Sequence, residues 1–237
     1  MEGKTLRPSW FQRFAGPYLF ARKSYAQCGE DLILRFLLEG LHKETGTYLD
    51  IGAHHPYYLN NTYLLYARHW QGANIDPLSE NIEQFDAVRP RDLNVCCGIA
   101  STTGVRDLYV FDPKTLSTFD PETAERYKLQ GHRISEVRQV QMLDVGDLLN
   151  RCELCRNVDL LSIDIEGGEI EVISGLLERG VAPSVIVCET VGYAARLPEA
   201  VKDLNLVKSI CDLGYLAYAD TFVNTIFVSK DKWRKRQ

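Results

Sequence analysis

Apolar residues along the chain follow two recurring patterns, one helical and one made of short continuous runs. Residues 29–41 place large aliphatic and aromatic side chains at the three- and four-residue spacing of an amphipathic helix. Runs at 47–51, 73–76 and 158–165 are short and apolar, and the last is apolar at nearly every position, which is typical of a strand buried on both faces. Strands that alternate with helices predict a mostly parallel sheet covered by helices on both sides.

The remaining elements follow the same alternation. Further helices are predicted from Asn61-Thr62 to Trp70 and at 79–87, 144–149, 167–177 and 196–214. Further strands are predicted at 93–99, 137–143, 184–189, 215–220 and 221–230, the last two forming an antiparallel hairpin. Residues 101–139 form a less regular stretch. The chain is therefore expected to form a Rossmann-like α/β fold with a mostly parallel seven-stranded sheet and a C-terminal antiparallel hairpin.

Composition supports one globular domain. The chain has 237 residues, 45% of them hydrophobic and 25% charged, which suits a single α/β domain with a full core. We predict a domain over 24–230, an N-terminal arm at 1–23 and a basic tail at 231–237. With 27 basic and 32 acidic residues the net charge is −5, so the protein as a whole does not attract nucleic acid.

The two ends of the chain mix basic and aromatic residues. No apolar run reaches the roughly 20 residues that span a bilayer, so no transmembrane segment is predicted. The arm at 1–23 is interpreted as packing on its own domain, and the alternative is contact with a membrane surface or a partner. The tail is interpreted as solvated, with docking to an anionic surface as its alternative.

Cysteine usage favours a reducing, cytoplasmic setting. The chain has seven cysteines, and Cys96, Cys97 and Cys188 lie in apolar runs where a thiol behaves as a small hydrophobic side chain. Cys152 and Cys155 form a Cys-x-x-Cys pair that suggests half of a zinc site or a redox pair. No second pair of that kind follows it, so an ordinary structural role is favoured.

Acidic residues follow several of the predicted strands. In open α/β sheets, ligands bind beyond the carboxyl ends of the strands. A single polar strand end is common where the chain reaches solvent, but several acidic ones at one edge indicate a ligand with positive charge or hydroxyl groups. The residues concerned are Asp50, Asp76, Asp164, Glu166 and Glu189.

The first strand suggests the kind of ligand. It ends Asp50-Ile51-Gly52-Ala53-His54, with one glycine where a dinucleotide site has three, so a nicotinamide cofactor is disfavoured. Gly52 lets the backbone approach a ligand, and Asp50 can accept hydrogen bonds from an ammonium group. Asp76 closes the second strand, where a carboxylate binds ribose hydroxyls in nucleotide-binding units. S-adenosylmethionine has an ammonium group and ribose hydroxyls, and it also has a sulfonium cation.

These motifs resemble the FkbM-type S-adenosylmethionine-dependent methyltransferases. The matching segments are Ser24–Asp31 (SYAQCGED), 49–56 (LDIGAHHP), Asn61-Thr62, 70–77 (WQGANIDP), Arg89-Pro90 and 159–169 (DLLSIDIEGGE). The resemblance implies a class I methyltransferase fold and methyl transfer to a hydroxyl of a sugar, glycan or small natural product. Two positions depart from the family pattern: Asp76-Pro77 stands where Glu-Pro is usual, and His54 where Asn is frequent.

Roles can be assigned from the chemistry of methyl transfer, which needs a positioned acceptor and a base for its proton. His54 and His55 are candidate bases because histidine titrates near neutral pH, and turn capping or lining of the cofactor pocket is the alternative for each. Asp164 is a further catalytic candidate. The predicted cofactor-binding residues are Gln27, Asp50, Gly52, Ala53, Asp76, Asp164 and Glu166.

A divalent cation is a second way to acidify the acceptor hydroxyl. Asp164, Glu166 and Glu189 are its candidate ligands, since carboxylates suit hard cations. Glu169 is expected to open its helix, where a negative charge suits the helix dipole. Glu30 and Asp31, with Gln27, either fold over the ligand or cap the first helix.

A non-catalytic methyltransferase-like binding domain is the alternative function. Such a domain would be expected to lose Asp50, Gly52 or Asp76, and this chain has cofactor-compatible residues at all three positions. The expected partners are a small-molecule or glycan acceptor, and the sequence does not indicate an oligomeric state.

Overall fold

The structure is a computed structural model that describes residues 20–165, 167–191 and 201–235. In chain order the elements are α1 (Glu30–Gly40), β1 (Thr47–Ile51), α2 (Tyr63–Tyr66), β2 (Gln71–Asp76), α3 (Ser79–Val88), β3 (Leu93–Cys96), β4 (Gly98–Ile99), β5 (Gly104–Asp112), α4 (Pro121–Leu129), β6 (Arg133–Leu143), α5 (Val145–Arg151), β7 (Leu160–Ile163), α6 (Glu169–Glu178), β8 (Val185–Glu189), α7 (Leu204–Asp212), β9 (Tyr215–Asp220), β10 (Asn224–Ser229) and α8 (Lys230–Arg234).

The main sheet has seven strands in the order β3-β2-β1-β7-β8-β10-β9. The five strands from β3 to β8 are parallel, and β10 runs antiparallel to both β8 and β9. The Rossmann-like fold and the C-terminal antiparallel hairpin predicted from the sequence are thus confirmed. Ile51 is in register with both Ile75 and Ile163, so β1, β2 and β7 end at the same edge of the sheet.

Apolar side chains cover both faces of this sheet. Leu49 and Ile51 face one core layer, which also contains side chains of α5, α6 and α7. Tyr48 and Leu160 face the other layer, which contains side chains of α1 and Trp70. Both layers exclude water, and this is why the central strands read as continuous apolar runs rather than as alternating ones.

The region 101–139, whose sequence pattern is less regular, contains regular elements that the sequence did not predict. Strands β4, β6 and β5 form a separate three-stranded sheet, and α4 lies between β5 and β6 in the chain. Asp120 caps α4 by accepting from the backbone N–H groups of Glu122 and Thr123. Most residues in the first half of β5 are exposed, so the strand lacks the apolar alternation that identifies strands in a sequence.

Several predicted boundaries also move. The strand expected at 93–99 is divided, because Leu93–Cys96 joins the main sheet while Gly98–Ile99 pairs with β6. The helix expected to reach Trp70 is the short α2, and His69 after it has a positive φ of 68°. Of the helix predicted at 196–214, α7 is described, and residues 192–200 lie outside the described part of the chain.

The chain ends were predicted as an arm and a solvated tail. Residues 1–19 of the arm lie outside the described residues, so its proposed contacts stay predictions. The tail begins as α8, whose Trp233 ring lies 5.5 Å from that of Tyr218, so this part packs on the sheet.

Within the described residues, no helix has both the length and the apolar character needed to cross a bilayer. Cys152 and Cys155 form a disulfide.

Candidate functional site

Four of the acidic or glycine positions picked out in the sequence meet at the carboxyl edge of the main sheet. Gly52 follows β1, Asp76 ends β2, Asp164 follows β7 and Glu189 ends β8. The in-register pairing of these strands brings their ends side by side. Glu166 lies outside the described residues, so its predicted roles toward cofactor and metal stay predictions. The edge therefore combines one tight backbone turn with three carboxyl groups.

Gly52 is required by the backbone at the end of β1. Its φ is +77°, and a Cβ atom there would overlap the backbone carbonyl oxygen of Asp164. The N–H groups of Gly52 and of the buried Ala53 both donate to the carbonyl oxygen of Ile75, at 2.9 and 3.1 Å. The chain is thus pressed against two neighbouring strands as it leaves β1, and only glycine fits there.

The buried Asp76 carboxylate is held by protein donors. Oδ1 accepts from the Leu78 N–H at 2.8 Å and from Asn81 Nδ2 at 3.0 Å, while Oδ2 accepts from the His54 N–H at 2.9 Å. Burial raises its pKa to about 6, and these hydrogen bonds oppose that rise. A carboxylate oxygen accepts about two hydrogen bonds, which leaves Oδ2 one acceptor position for a ligand.

Asp50 has protein partners of its own. Its Oδ2 accepts from Thr62 Oγ1 at 2.7 Å and from Asn60 Nδ2 at 3.3 Å, and the side chain is buried. Burial raises the pKa of this carboxyl, while the nearby Arg89 cation lowers it. A direct contact with a ligand ammonium group would have to compete with these donors, so the predicted Asp50 contact stays a prediction.

The two histidines after β1 differ in their surroundings. His55 Nδ1 accepts from the N–H groups of Tyr57 and Tyr58, at 3.3 and 3.1 Å, so this ring caps a turn. His54 has a positive φ of 55° and is half-buried. Burial lowers the pKa of His54, with the neighbouring His55 adding to the effect, so the His54 imidazole is neutral at pH 7.

Asp164 and Glu189 form a carboxyl pair. Asp164 is an exposed residue, and desolvation of its carboxyl raises its pKa well above the ordinary value. The charge of Glu189 and a hydrogen bond between the two side chains raise it further. Two hydrogen-bonded carboxyl groups need a shared proton, because a doubly ionised pair has no donor between its oxygens.

The described residues give no support to a metal site at the Asp164–Glu189 pair. Within residues 20–165, 167–191 and 201–235, no group of three or more His, Cys, Asp or Glu side chains is arranged to hold a metal ion.

Glu169 is buried at the start of α6, and its Oε1 accepts from the N–H groups of Gly167 and Ile165. This contact closes the loop after β7 and agrees with the predicted helix-opening role of Glu169.

The segment before α1 borders this edge. Glu30 Oε1 accepts from Asn224 Nδ2 at 3.0 Å and from Thr221 Oγ1 at 2.7 Å, and Asn224 pairs with Glu189 in the sheet. Asp31 accepts from the Tyr25 N–H at 2.7 Å, which ties the preceding segment to α1, whereas no side chain caps this helix at Gly29. Gln27 is exposed on the same segment, and its contact with a cofactor stays a prediction.

Arg89 is the functional candidate that sequence reasoning missed. It follows α3, is fully buried, and donates to Pro56, Asn60, Thr62 and Asn74. In the sequence it stood out only as part of an Arg-Pro dipeptide. Its partners lie 15 to 33 positions away, so no local pattern could reveal them.

Comparison with known proteins assigns the fold to a family. The family model of the methyltransferase FkbM domain matches residues 50–216. This chain belongs to the FkbM methyltransferase family. The FkbM domain match begins at Asp50 and spans Gly52, Asp76, Asp164 and Glu189, which meet at the carboxyl edge.

Among solved structures, this chain is similar to the methyltransferase FkbM from Methylobacillus flagellatus KT. The identity is 13%, the TM-score is 0.42, and the match covers 94% of this chain and 48% of that one. This chain thus spans about half the length of that relative. No curated protein matches it.

Proposed function

We propose that this FkbM-family protein is an S-adenosylmethionine-dependent methyltransferase that methylates a hydroxyl group of a sugar, glycan or small natural product. The observation that carries the proposal is the meeting of the Gly52 turn with Asp76, Asp164 and Glu189 at one sheet edge. Family membership supports the methyl transfer, and the resemblance of the sequence motifs supports the hydroxyl acceptor.

The groups at this edge fit the cofactor chemically. Asp76 Oδ2 has an acceptor position for a ribose hydroxyl, and the Asp164–Glu189 pair supplies negative charge for an ammonium or sulfonium cation. The turn at Gly52 and Ala53 brings backbone close to any ligand at this edge. The cofactor supplies a methyl group that its sulfonium has already activated.

The protein then has two tasks, to position the acceptor and to take its proton. We assign the proton to a ring nitrogen of His54, because this imidazole is neutral at pH 7 and lies on the loop that leaves the Gly52 turn. With the cofactor bound, its sulfonium would supply the activated methyl group, and the His54 imidazole would accept the proton that the acceptor hydroxyl gives up. Asp164 is the alternative base, and a divalent cation held by Asp164, Glu189 and Glu166 is the alternative means of acidifying the hydroxyl.

The cellular setting is also a proposal. A cytoplasmic location is supported by the free, buried thiols of Cys97 and Cys188 and opposed by the Cys152–Cys155 disulfide. The N-terminal arm at 1–23 keeps its two proposed roles, packing on the domain or contact with a membrane surface.

The test has two stages. Calorimetry with S-adenosylmethionine and with NAD is expected to show binding of the first and not of the second. Transfer of a labelled methyl group is then measured on a set of mono- and oligosaccharides and hydroxylated small molecules. Binding without transfer to any acceptor would favour the alternative of a non-catalytic methyltransferase-like domain, and binding of NAD alone would overturn the proposal.

A further inference from the structure

Arg89 is a cation with no exposed surface, placed between the end of α3 and the loop that leaves β1. Its side chain is 0% exposed. A buried charge is costly unless it is paired and fully hydrogen-bonded, so such a residue persists only where its surroundings compensate for the lost hydration. The proposed reaction leaves Arg89 without a role.

The guanidinium holds the loop at three separate points. Nε donates to the carbonyl oxygen of Pro56 at 2.9 Å, and Nη2 also donates to this oxygen. Nη2 donates to Asn60 Oδ1 at 2.6 Å, and Nη1 donates to Thr62 Oγ1 at 2.8 Å. These contacts are charge-assisted and come from a rigid planar fork, so they fix the loop more firmly than single hydrogen bonds would.

The same group ties the loop to the sheet. Nη1 donates to Asn74 Oδ1 on β2 at 3.2 Å, and it lies 4.0 Å from the carboxylate of Asp92. Thr62 links it to Asp50, since its hydroxyl accepts from Arg89 and donates to Asp50 Oδ2 at 2.7 Å. Two buried carboxylates thus balance the charge, and the loop is connected to both β1 and β2.

The loop needs such support because part of it is strained. His54 and Leu59 have positive φ values of 55° and 50°, which side chains other than glycine rarely adopt. Tyr57 and Tyr58 are 48% and 59% exposed, so burial of these side chains contributes little to holding the loop. Strained backbone persists where the surrounding structure over-determines it, and here the Arg89 fork lies directly beneath the loop.

We infer that Arg89 is a positioning residue that holds residues 53–62 in the conformation that receives the cofactor and presents His54 to the acceptor. The inference rests on the proposed function. Loop order that exists before binding lowers the entropy lost when a ligand binds, so Arg89 contributes to cofactor affinity without touching the cofactor. A role limited to core stability would leave affinity unchanged at temperatures well below unfolding.

The test uses Arg89→Lys in the full chain, which keeps the charge and removes the fork. Arg91→Lys is the matched control, because Arg91 is exposed and its side chain contacts the carbonyl oxygen and ring of Tyr66 and the ring of His69, which lie outside the loop at 53–62. At 15 °C below the unfolding midpoint, Arg89→Lys is expected to raise the Kd for S-adenosylmethionine about tenfold, the size of one lost charged hydrogen bond. Arg91→Lys should leave it unchanged.

Hydrogen exchange provides a second measurement that needs no cofactor. The N–H groups of His54 and Tyr58 are hydrogen-bonded within the site and should exchange about tenfold faster in Arg89→Lys, while those of β1 and β7 stay as in the wild type. Unchanged Kd together with unchanged exchange at these two amides would overturn the inference. Should the wild type fail to bind S-adenosylmethionine, the proposed function fails, and the exchange measurement still decides whether Arg89 positions the loop.

Thr62→Val is a milder variant in case Arg89→Lys does not fold. It has nearly the same shape and removes the hydroxyl between Arg89 and Asp50. We expect a roughly threefold to tenfold rise in the same Kd and faster exchange at His54 and Tyr58, as for loss of one hydrogen bond. Wild-type values for both measurements in Thr62→Val would count against the inference.

Discussion

The backbone N–H of His54 donates to Oδ2 of Asp76 at 2.9 Å. This hydrogen bond joins the loop after β1 to the end of β2, two segments that sequence reasoning had given separate tasks. One carboxylate therefore serves the loop, accepts from Leu78 and Asn81 near the start of α3, and retains one position for a ligand hydroxyl. Changes at Asp76 should alter both stability and cofactor binding.

Asp76→Ala is expected to weaken binding of S-adenosylmethionine by about 1.5–3 kcal/mol, or roughly tenfold to a hundredfold in Kd, because a charged hydrogen bond to the ribose is lost. Calorimetry measures this directly. Asn81→Ala is the matched control, since it removes one partner of Oδ1 and leaves Oδ2 unaltered. Equal affinity of Asp76→Ala and wild type, with the fold intact, would place the cofactor elsewhere.

The pH dependence of binding follows from the same residue. Burial raises the pKa of Asp76 to about 6, and the ionised carboxylate accepts a stronger hydrogen bond at Oδ2 than the neutral acid does. Affinity for S-adenosylmethionine should therefore fall about tenfold for each pH unit below 6. Calorimetry from pH 5 to 8 tests this, and Asp76→Asn should abolish the dependence. A flat wild-type profile through pH 6 contradicts the assignment.

Stability should change with pH in the opposite direction. Asp76 binds its proton more tightly in the folded than in the unfolded state, where its pKa is about 3.9. Its contribution to the free energy of unfolding is therefore present in full below pH 3.9 and is lost as the pH rises to about 6. Comparing urea unfolding of the wild type and Asp76→Asn across pH 4 to 7 isolates this contribution from those of other carboxyls.

The sequence predicted this edge of the fold better than its interior connections. The positions of Gly52, Asp76 and Asp164 follow from strand periodicity and from the rule that parallel strands end together. The Arg89 network could not be predicted, because its donors and acceptors come from segments that approach each other only after folding. Strand β5 was missed for a different reason, the lack of an apolar face in its first half, whereas β6 was predicted in part, as the strand at 137–143.

Gly52→Ala should disrupt the site severely. The new Cβ would overlap the carbonyl oxygen of Asp164 at a φ of +77°, so we expect a loss of about 3 kcal/mol or more from strain and overpacking together. Gly29→Ala separates the two effects, since Gly29 has a φ of +87° and nothing near its Cβ position. Thermal unfolding should show a loss of about 1–2 kcal/mol in that control. Similar losses in the two variants would argue against a close approach at Gly52.

His54 and His55 should differ when each is replaced. His54→Ala is expected to lower kcat by about 100-fold, because the proton acceptor is lost, and to leave the Kd for S-adenosylmethionine near its wild-type value. His55→Ala removes a turn cap and should cost about 1 kcal/mol of stability with a smaller effect on kcat. Single-turnover rates and thermal unfolding distinguish the two. Equal kcat in His54→Ala and wild type assigns the proton to another group.

Asp164 and Glu189 decide between a metal-free reaction and a metal-assisted one. Their carboxyl groups share a hydrogen bond and hence a proton, and a divalent cation would bind them only in the deprotonated form. A cation would have to displace this proton, so metal binding at the pair should release a proton and weaken as the pH falls. A chelator would remove such a cation and stop the reaction, whereas a reaction that uses a histidine base alone would be unaffected by a chelator.

We therefore expect methyl transfer to continue in EDTA, with cofactor binding unchanged. Glu189→Gln keeps a hydrogen bond to Asp164 and removes one of the two carboxyl groups, so it should retain most of the activity if the pair acts only by orienting ligands. If the pair holds a cation, its charge stabilises the acceptor alkoxide, and both EDTA and Glu189→Gln should abolish turnover. Restoration of EDTA-treated enzyme by magnesium or manganese would establish the metal route and reduce His54 to a residue that lines the site.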